Sequence, residues 1–139
     1  MPKGIEYLNP AGVPPPQGLY SHVTRVPAGT PLFFVAGQLA VGRDGEVVGK
    51  GDFGAQFGQV FANLGTVLRG LDCNFNDVIK FTTYLVHSQD IERFMAERAA
   101  LFAKLFRGTQ YPPNTLVMID RLVREEFLIE VEAIVQGRD

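Results

Sequence analysis

Hydrophobic and polar positions change period along the chain. LYSHVTRV (19–26) alternates, and TPLFFVAGQLAV (30–41) is a dense apolar run ending at the turn signal RDGE. Both read as neighbouring strands, with EVVG (46–49) a short third strand of a β-meander. From Phe53 to Leu71 the repeat lengthens: Phe53, Phe57, Val60, Leu64, Val67 and Leu71 draw one apolar stripe along a helix. Asp52 stands at its N-cap position and Gly70 where a helix stops. Gly54, Gly58 and Gly65 each cost up to about 1 kcal/mol against alanine inside a helix, which predicts close approach of this helix to a sheet.

DVIKFTTYLVH (77–87) returns to a strand pattern. Ser88 then caps a second amphipathic helix through Ile91, Phe94, Met95, Leu101, Phe102 and Leu105, closed by Gly108. Asp90 and Glu92 at its start and Lys104 and Arg107 at its end suit the helix dipole. NTLVMIDRL (114–122) and EFLIEVEAIV (126–135) follow as strands. The order βββαβαββ predicts an α+β domain with helices on one face of a mixed sheet.

The last strand is the most informative. Phe127, Ile129, Val131, Ala133 and Val135 share one face and should meet the helices, whereas Leu128, Glu130, Glu132 and Ile134 share the other. No helix is left to cover that second face, so self-association is expected.

Length and composition narrow the classes. With 139 residues, 46% hydrophobic and 20% charged, the chain fits a single domain over 1–139 with its own core. A formal charge of −2 and scattered basic residues make nucleic acid an unlikely partner. Cys73 is alone, which excludes an intrachain disulfide and fits a reducing compartment. The opening run with Pro10, Pro14, Pro15 and Pro16 reads as an extended arm, no segment is apolar over a membrane's thickness, and the expected location is cytoplasmic, with no membrane partner.

Glu130 and Glu132 read either as a general acid/base pair raised toward working pH by burial, or as salt-bridged or solvated carboxylates on a sheet edge. His22 and His87 have no metal-ligand spacing, so no metal is expected. Cys73 lacks a cationic neighbour to activate it, and GRDGEVVGKGD (42–52) lacks the phosphate-loop pattern. YPPNTLVMIDRL (111–122) poses a question of its own, because Asn114 and Thr115 open an otherwise apolar strand directly after two prolines.

NPAGVPPPQGLYSHV, FFVAGQLAV, GLDCNFNDVIKFTTYLV, YPPNTLVMIDRL and IEVEAIV, in that order, resemble the RidA (YjgF-like) enamine/imine deaminase family over nearly the whole chain. The resemblance implies a chorismate-mutase-like α+β fold, a six-stranded mixed sheet with two helices on one face. It also implies a homotrimer with clefts between subunits that hydrolyses 2-imino or 2-enamino acids to 2-oxo acids and ammonia, using no cofactor. Family members clamp the substrate carboxylate with an arginine, and the matching position here is Asn114, a neutral donor in place of a charged planar fork. Ala36 stands where many active members have serine. Arg98 stands where the second helix often carries asparagine, and it reads either as a cation reaching a subunit boundary or as an exposed helix residue. Tyr20, Gly37 and Gln38 match cleft positions, and Glu130 matches the carboxylate that positions water. Two functions follow from the resemblance: a deaminase-type hydrolase acting on a small-molecule metabolite, or a non-catalytic metabolite-binding or regulatory trimer.

Overall fold

A computed structural model describes residues 4–138; the first three residues of the expected arm and Asp139 lie outside the described residues. The elements are β1 (Glu6–Leu8), β2 (Val23–Arg25), β3 (Leu32–Gln38), α1 (Phe53–Gly70), a 3₁₀ turn (Phe75–Asp77), β4 (Val78–Leu85), α2 (Asp90–Leu105), β5 (Asn114–Met118) and β6 (Ile129–Gln136). The fold is α+β and of the expected class, but its six strands divide between two sheets, β1-β2 and the mixed β3-β6-β4-β5.

The N-terminal half departs from the expected meander. β2 pairs antiparallel with β1, not with β3, and EVVG supplies only an isolated bridge between Val41 and Val47. Pro27 and Pro31 cannot extend a ladder between β2 and β3, so β2 finds its partner in the stretch expected to be an unpaired arm. Side chains tie this small sheet to the large one: Tyr7 Oη donates to Val78 O and Thr24 Oγ1 to Ile79 O, each at 2.6 Å. Both bonds fall on the first residues of β4, upstream of the stretch that β5 pairs with, Phe81–Leu85.

α1 begins where expected, with Asp52 Oδ1 accepting from Ala55 N at 3.1 Å. Its end is different. Asp72, not Gly70, takes the left-handed conformation (φ 57°), and the amides of Asp72 and Cys73 close back on Arg69 O and Leu68 O at 3.1 and 2.8 Å, a Schellman cap. The stripe buries Phe53, Phe57, Val60 and Leu64 and continues to Leu68, leaving Val67 and Leu71 at the margin of the core. The glycines do not press α1 onto a sheet. A Cβ at Gly54 would overlap the Arg93 guanidinium of α2, and one at Gly58 would meet open space.

α2 starts two residues after Ser88, with Gln89 at the N-cap position and no side-chain cap; Ser88 contributes only its carbonyl, to Ile91 N. The helix ends before Gly108 because Phe106 turns extended and enters the core, its ring 4.8 Å from that of Phe102.

Both helices cover one face of the large sheet. Ile129, Val131, Ala133 and Val135 are buried beneath them with Phe127, as the alternation predicts. On the opposite face Glu130, Glu132 and Ile134 are half-buried, and Phe34, which pairs with Ile134 across β3 and β6, is 75% exposed. Among the described residues no helix covers that face, and none is long and apolar enough to cross a membrane.

Candidate functional site

β2 and β5 flank the same strand, β4, and a groove lies where one leaves off and the other begins. Its volume is about 430 Å³, and its walls include Tyr20, His22, Thr24, Lys80, Pro113 and Asn114. Local sequence makes the gap. Pro112 and Pro113 cannot donate, so β4 joins this segment first through Phe81 N to Pro113 O (2.9 Å), and β5 starts at Asn114 opposite Phe81. A register shift between Val78 and Lys80 widens the same stretch of β4.

Asn114 is held by its carbonyl end. Thr83 Oγ1, inside the core, donates to Asn114 Oδ1 at 2.8 Å, so the amide N–H groups are the side chain's remaining donors, on a residue that lines the groove. Tyr20 sits across from it on a chain segment fixed by several bonds. Its hydroxyl accepts from Gln17 N (3.1 Å), its ring lies edge-to-face on His22, and His22 bonds Pro14 O through Nε2 (2.7 Å) and Asn9 Oδ1 through its backbone N–H (2.9 Å). His22 therefore shapes the wall, and among the described residues no three His, Cys, Asp or Glu side chains converge as metal ligands do.

The second group lies on the open sheet face. Glu130 packs on Gly37, where a Cβ would stand 2.5 Å from Glu130 Cδ and 2.8 Å from Cγ. Burial, and then the neighbouring Glu132 carboxylate, push the Glu130 carboxyl above its usual range. Glu132 is occupied differently, accepting a short hydrogen bond from Tyr84 Oη, which in turn raises the Tyr84 phenol. Neither glutamate forms a salt bridge among the described residues, and β6 is an inner strand of the sheet, so the two stand half-solvated on its open face and not on an ion-paired edge. Ala36 is exposed beside this cluster, and Gln38 folds back so that Nε2 donates to Ala36 O at 3.0 Å.

Arg98 is buried, 2% exposed, which corrects the reading of it as an exposed helix residue. It faces inward because it falls between Phe94 and Phe102 on the buried side of α2, with its guanidinium carbon 5.0 Å from the Phe94 ring centre. Nη2 donates to Met95 Sδ at 3.0 Å, and Nε has no partner. Gly18 lies directly over it: a Cβ there would come within 2.6 Å of Nη2. Burial lowers the guanidinium's affinity for its proton.

Within one chain, then, Tyr20 and Asn114 share the groove, Gly37 and Glu130 share the open face with Ala36 and Gln38, and Arg98 lies beneath the turn that leads into Tyr20. The groove's walls do not include Glu130. Lys80, Thr83, Tyr84 and Gly18 were not singled out from sequence. Tyr84 and Lys80 were legible as the polar face of an alternating strand; Gly18 and Thr83 gave no signal. A larger cavity of about 510 Å³ lies between α1 and α2, its walls mostly apolar through Phe57, Phe61, Phe75 and Leu101, with Arg69, Glu97 and Lys104 among them.

Residues 12–136 match the family model described as Endoribonuclease L-PSP. A RutC family protein of Pyrococcus horikoshii is 36% identical over 130 residues, 93% of this chain and 95% of that one. The crystal structure of the Rid-family protein YyfB of Yersinia pestis superposes with a TM-score of 0.83 at 32% identity, covering 96% of this chain and 99% of the other. That of the E. coli YjgF gene product gives 0.68 at 25% identity, with 96% and 99% covered.

Proposed function

The chain belongs to the Endoribonuclease L-PSP family, of the Rid/YjgF type, and from that premise we propose that it hydrolyses small imines or enamines at clefts between the subunits of a homotrimer. The observation that carries this is Glu130, a carboxyl raised above its ordinary range, while Glu132 beside it is engaged by Tyr84. A carboxyl raised above its ordinary range is better matched to taking and returning a proton near neutral pH than an ordinary one.

In the proposed reaction Glu130 accepts a proton from water as the oxygen attacks the C=N carbon. It returns that proton to nitrogen, giving the neutral carbinolamine; the hydroxyl proton then passes through Glu130 to nitrogen as the C–N bond breaks, releasing ammonia and leaving a carbonyl. No electron acceptor is needed. The trimer is supported by the open face, where Glu130 sits and which no helix covers among the described residues; in the proposed assembly the cleft joins that face to the Asn114 groove at the β5 edge of the sheet.

A second reading, a metabolite-binding or regulatory trimer, is favoured by Asn114, whose neutral amide replaces the family's charged clamp. Cleavage of RNA, as the family description suggests, is not favoured, since a net charge of −2 and a groove holding Lys80 as its one lysine or arginine offer little to a phosphate backbone.

Generating 2-iminobutanoate in situ and following its loss separates these readings. Hydrolysis by the wild type, reduced about 10²–10⁴-fold in Glu130→Gln, is expected. A wild type that is inert while Asn114→Arg is active shows that the native protein is not this deaminase.

A further inference from the structure

A guanidinium taken out of water without a counter-charge is strongly unfavourable, and chains rarely keep one unless an anion arrives to compensate it. Arg98 is in that position. It is 2% exposed, forms no salt bridge among the described residues, leaves Nε without a partner and gives Nη2 only a thioether sulfur. A leucine or methionine would fill the same space between Phe94 and Phe102 at no such cost.

Its surroundings say where the anion comes from. Gly18 is the cover, and two residues later Tyr20 forms a wall of the groove, so the turn 18–20 is the partition between guanidinium and groove. That partition carries no side chain at Gly18 and is held by Tyr20 N to Gly18 O at 3.0 Å and Gln17 N to Tyr20 Oη at 3.1 Å, two bonds that its displacement must break. Across it, Lys80 and Asn114 line the groove, the one cationic and the other with its amide oxygen already taken by Thr83.

We propose that Arg98 is the anion receptor of this site, reached when the Gly18–Tyr20 turn is displaced, and that the ligand is a small carboxylate. The charge missing at Asn114 is supplied from α2 instead. A planar guanidinium matches a carboxylate in two-point contact, which selects 2-imino and 2-oxo acids over uncharged carbonyl compounds. This assignment rests on the reading of the cleft given above and names its substrate class.

The test is calorimetric titration of the full-length protein with 2-oxobutanoate and with 2-butanone, its uncharged counterpart, for wild type, Arg98→Met and Arg98→Lys. Light scattering and iminobutanoate turnover are measured alongside. The wild type should prefer 2-oxobutanoate by about tenfold or more, Arg98→Met should lose that preference without melting earlier, and Arg98→Lys should keep part of it. If Arg98→Met does not fold, the lysine variant decides: a preference equal to the wild type's or wholly lost overturns the two-point contact. Retained carboxylate preference in Arg98→Met, or a wild type without one, overturns the proposal. So does dissociation of the assembly in Arg98→Met with binding lost only as a result, which makes Arg98 the partner of a carboxylate on a second copy. Carboxylate binding that depends on Arg98 without turnover leaves this assignment standing and removes the deaminase reading; turnover unaffected by Arg98→Met does the reverse.

Discussion

Glu130 on β6 rests its carboxyl against the bare backbone of Gly37 on β3, in a space that no side chain at position 37 could share. The irregular pairing between Val35 and Gln38 is what lets β3 present its backbone there. Gly37→Ala should therefore push the carboxyl aside. A displacement near 1 Å is expected to cost about 100-fold in turnover, with destabilisation of about 1–3 kcal/mol from overpacking. Kinetics with a parallel thermal melt check this, and unchanged turnover would mean that Glu130 has no fixed post.

The raised Glu130 carboxyl also has a thermodynamic signature. Its proton is held more tightly in the folded chain than in the unfolded one, so its contribution to stability is fully present below the ordinary carboxylate value of about 4.3 and is lost as pH rises through the folded value. Glu130→Gln should consequently exceed the wild type in melting temperature at pH 7 and lose that advantage as pH falls toward 4. Melting curves across pH 4–8 measure it, and a constant gap would place the carboxyl in an ordinary environment.

Asn114 has a structural duty separate from any ligand. Thr83 is 1% exposed and its hydroxyl depends on Asn114 Oδ1. Asn114→Ala should cost about 1–3 kcal/mol, and much of that should return in the double variant Thr83→Val/Asn114→Ala, where no buried hydroxyl is stranded. Urea unfolding of the four proteins gives the coupling; additive losses would mean that water replaces the amide.

Much of this architecture was legible in the residues. Asp52, the stripe through Leu64 and the alternation of β6 each state a local rule, and each rule held because nothing nearby competes with it. Strand pairing was another matter: alternation in residues 19–26 announces a strand but not its partner, and the prolines at 27 and 31 that redirect β2 act through a bond they fail to make. Arg98 was misjudged in one of its two readings for a similar reason, since an arginine at core spacing looks the same in sequence whether it bends to solvent or stays inside. That Asn114 is turned by Thr83 depends on a parallel pairing invisible in either segment.

Gln56 pins the loop before β6 to α1. The side chain is 0% exposed and bonds Gly49 O, Glu126 O and Leu128 N at 3.1, 2.7 and 2.8 Å, all backbone groups. Gln56→Leu leaves those groups unmatched and should destabilise by about 3–5 kcal/mol in chemical denaturation. A loss below about 1 kcal/mol would show that the loop before β6 rebinds elsewhere.

Phe34 and Ile134 lie side by side on the sheet face without helices, and in the proposed trimer that is the surface another copy dries. Folding and association then form one equilibrium, so dilution should lower the melting temperature by mass action and a more concentrated solution should hold the protein folded. Phe34→Lys should turn that concentration dependence into a flat line.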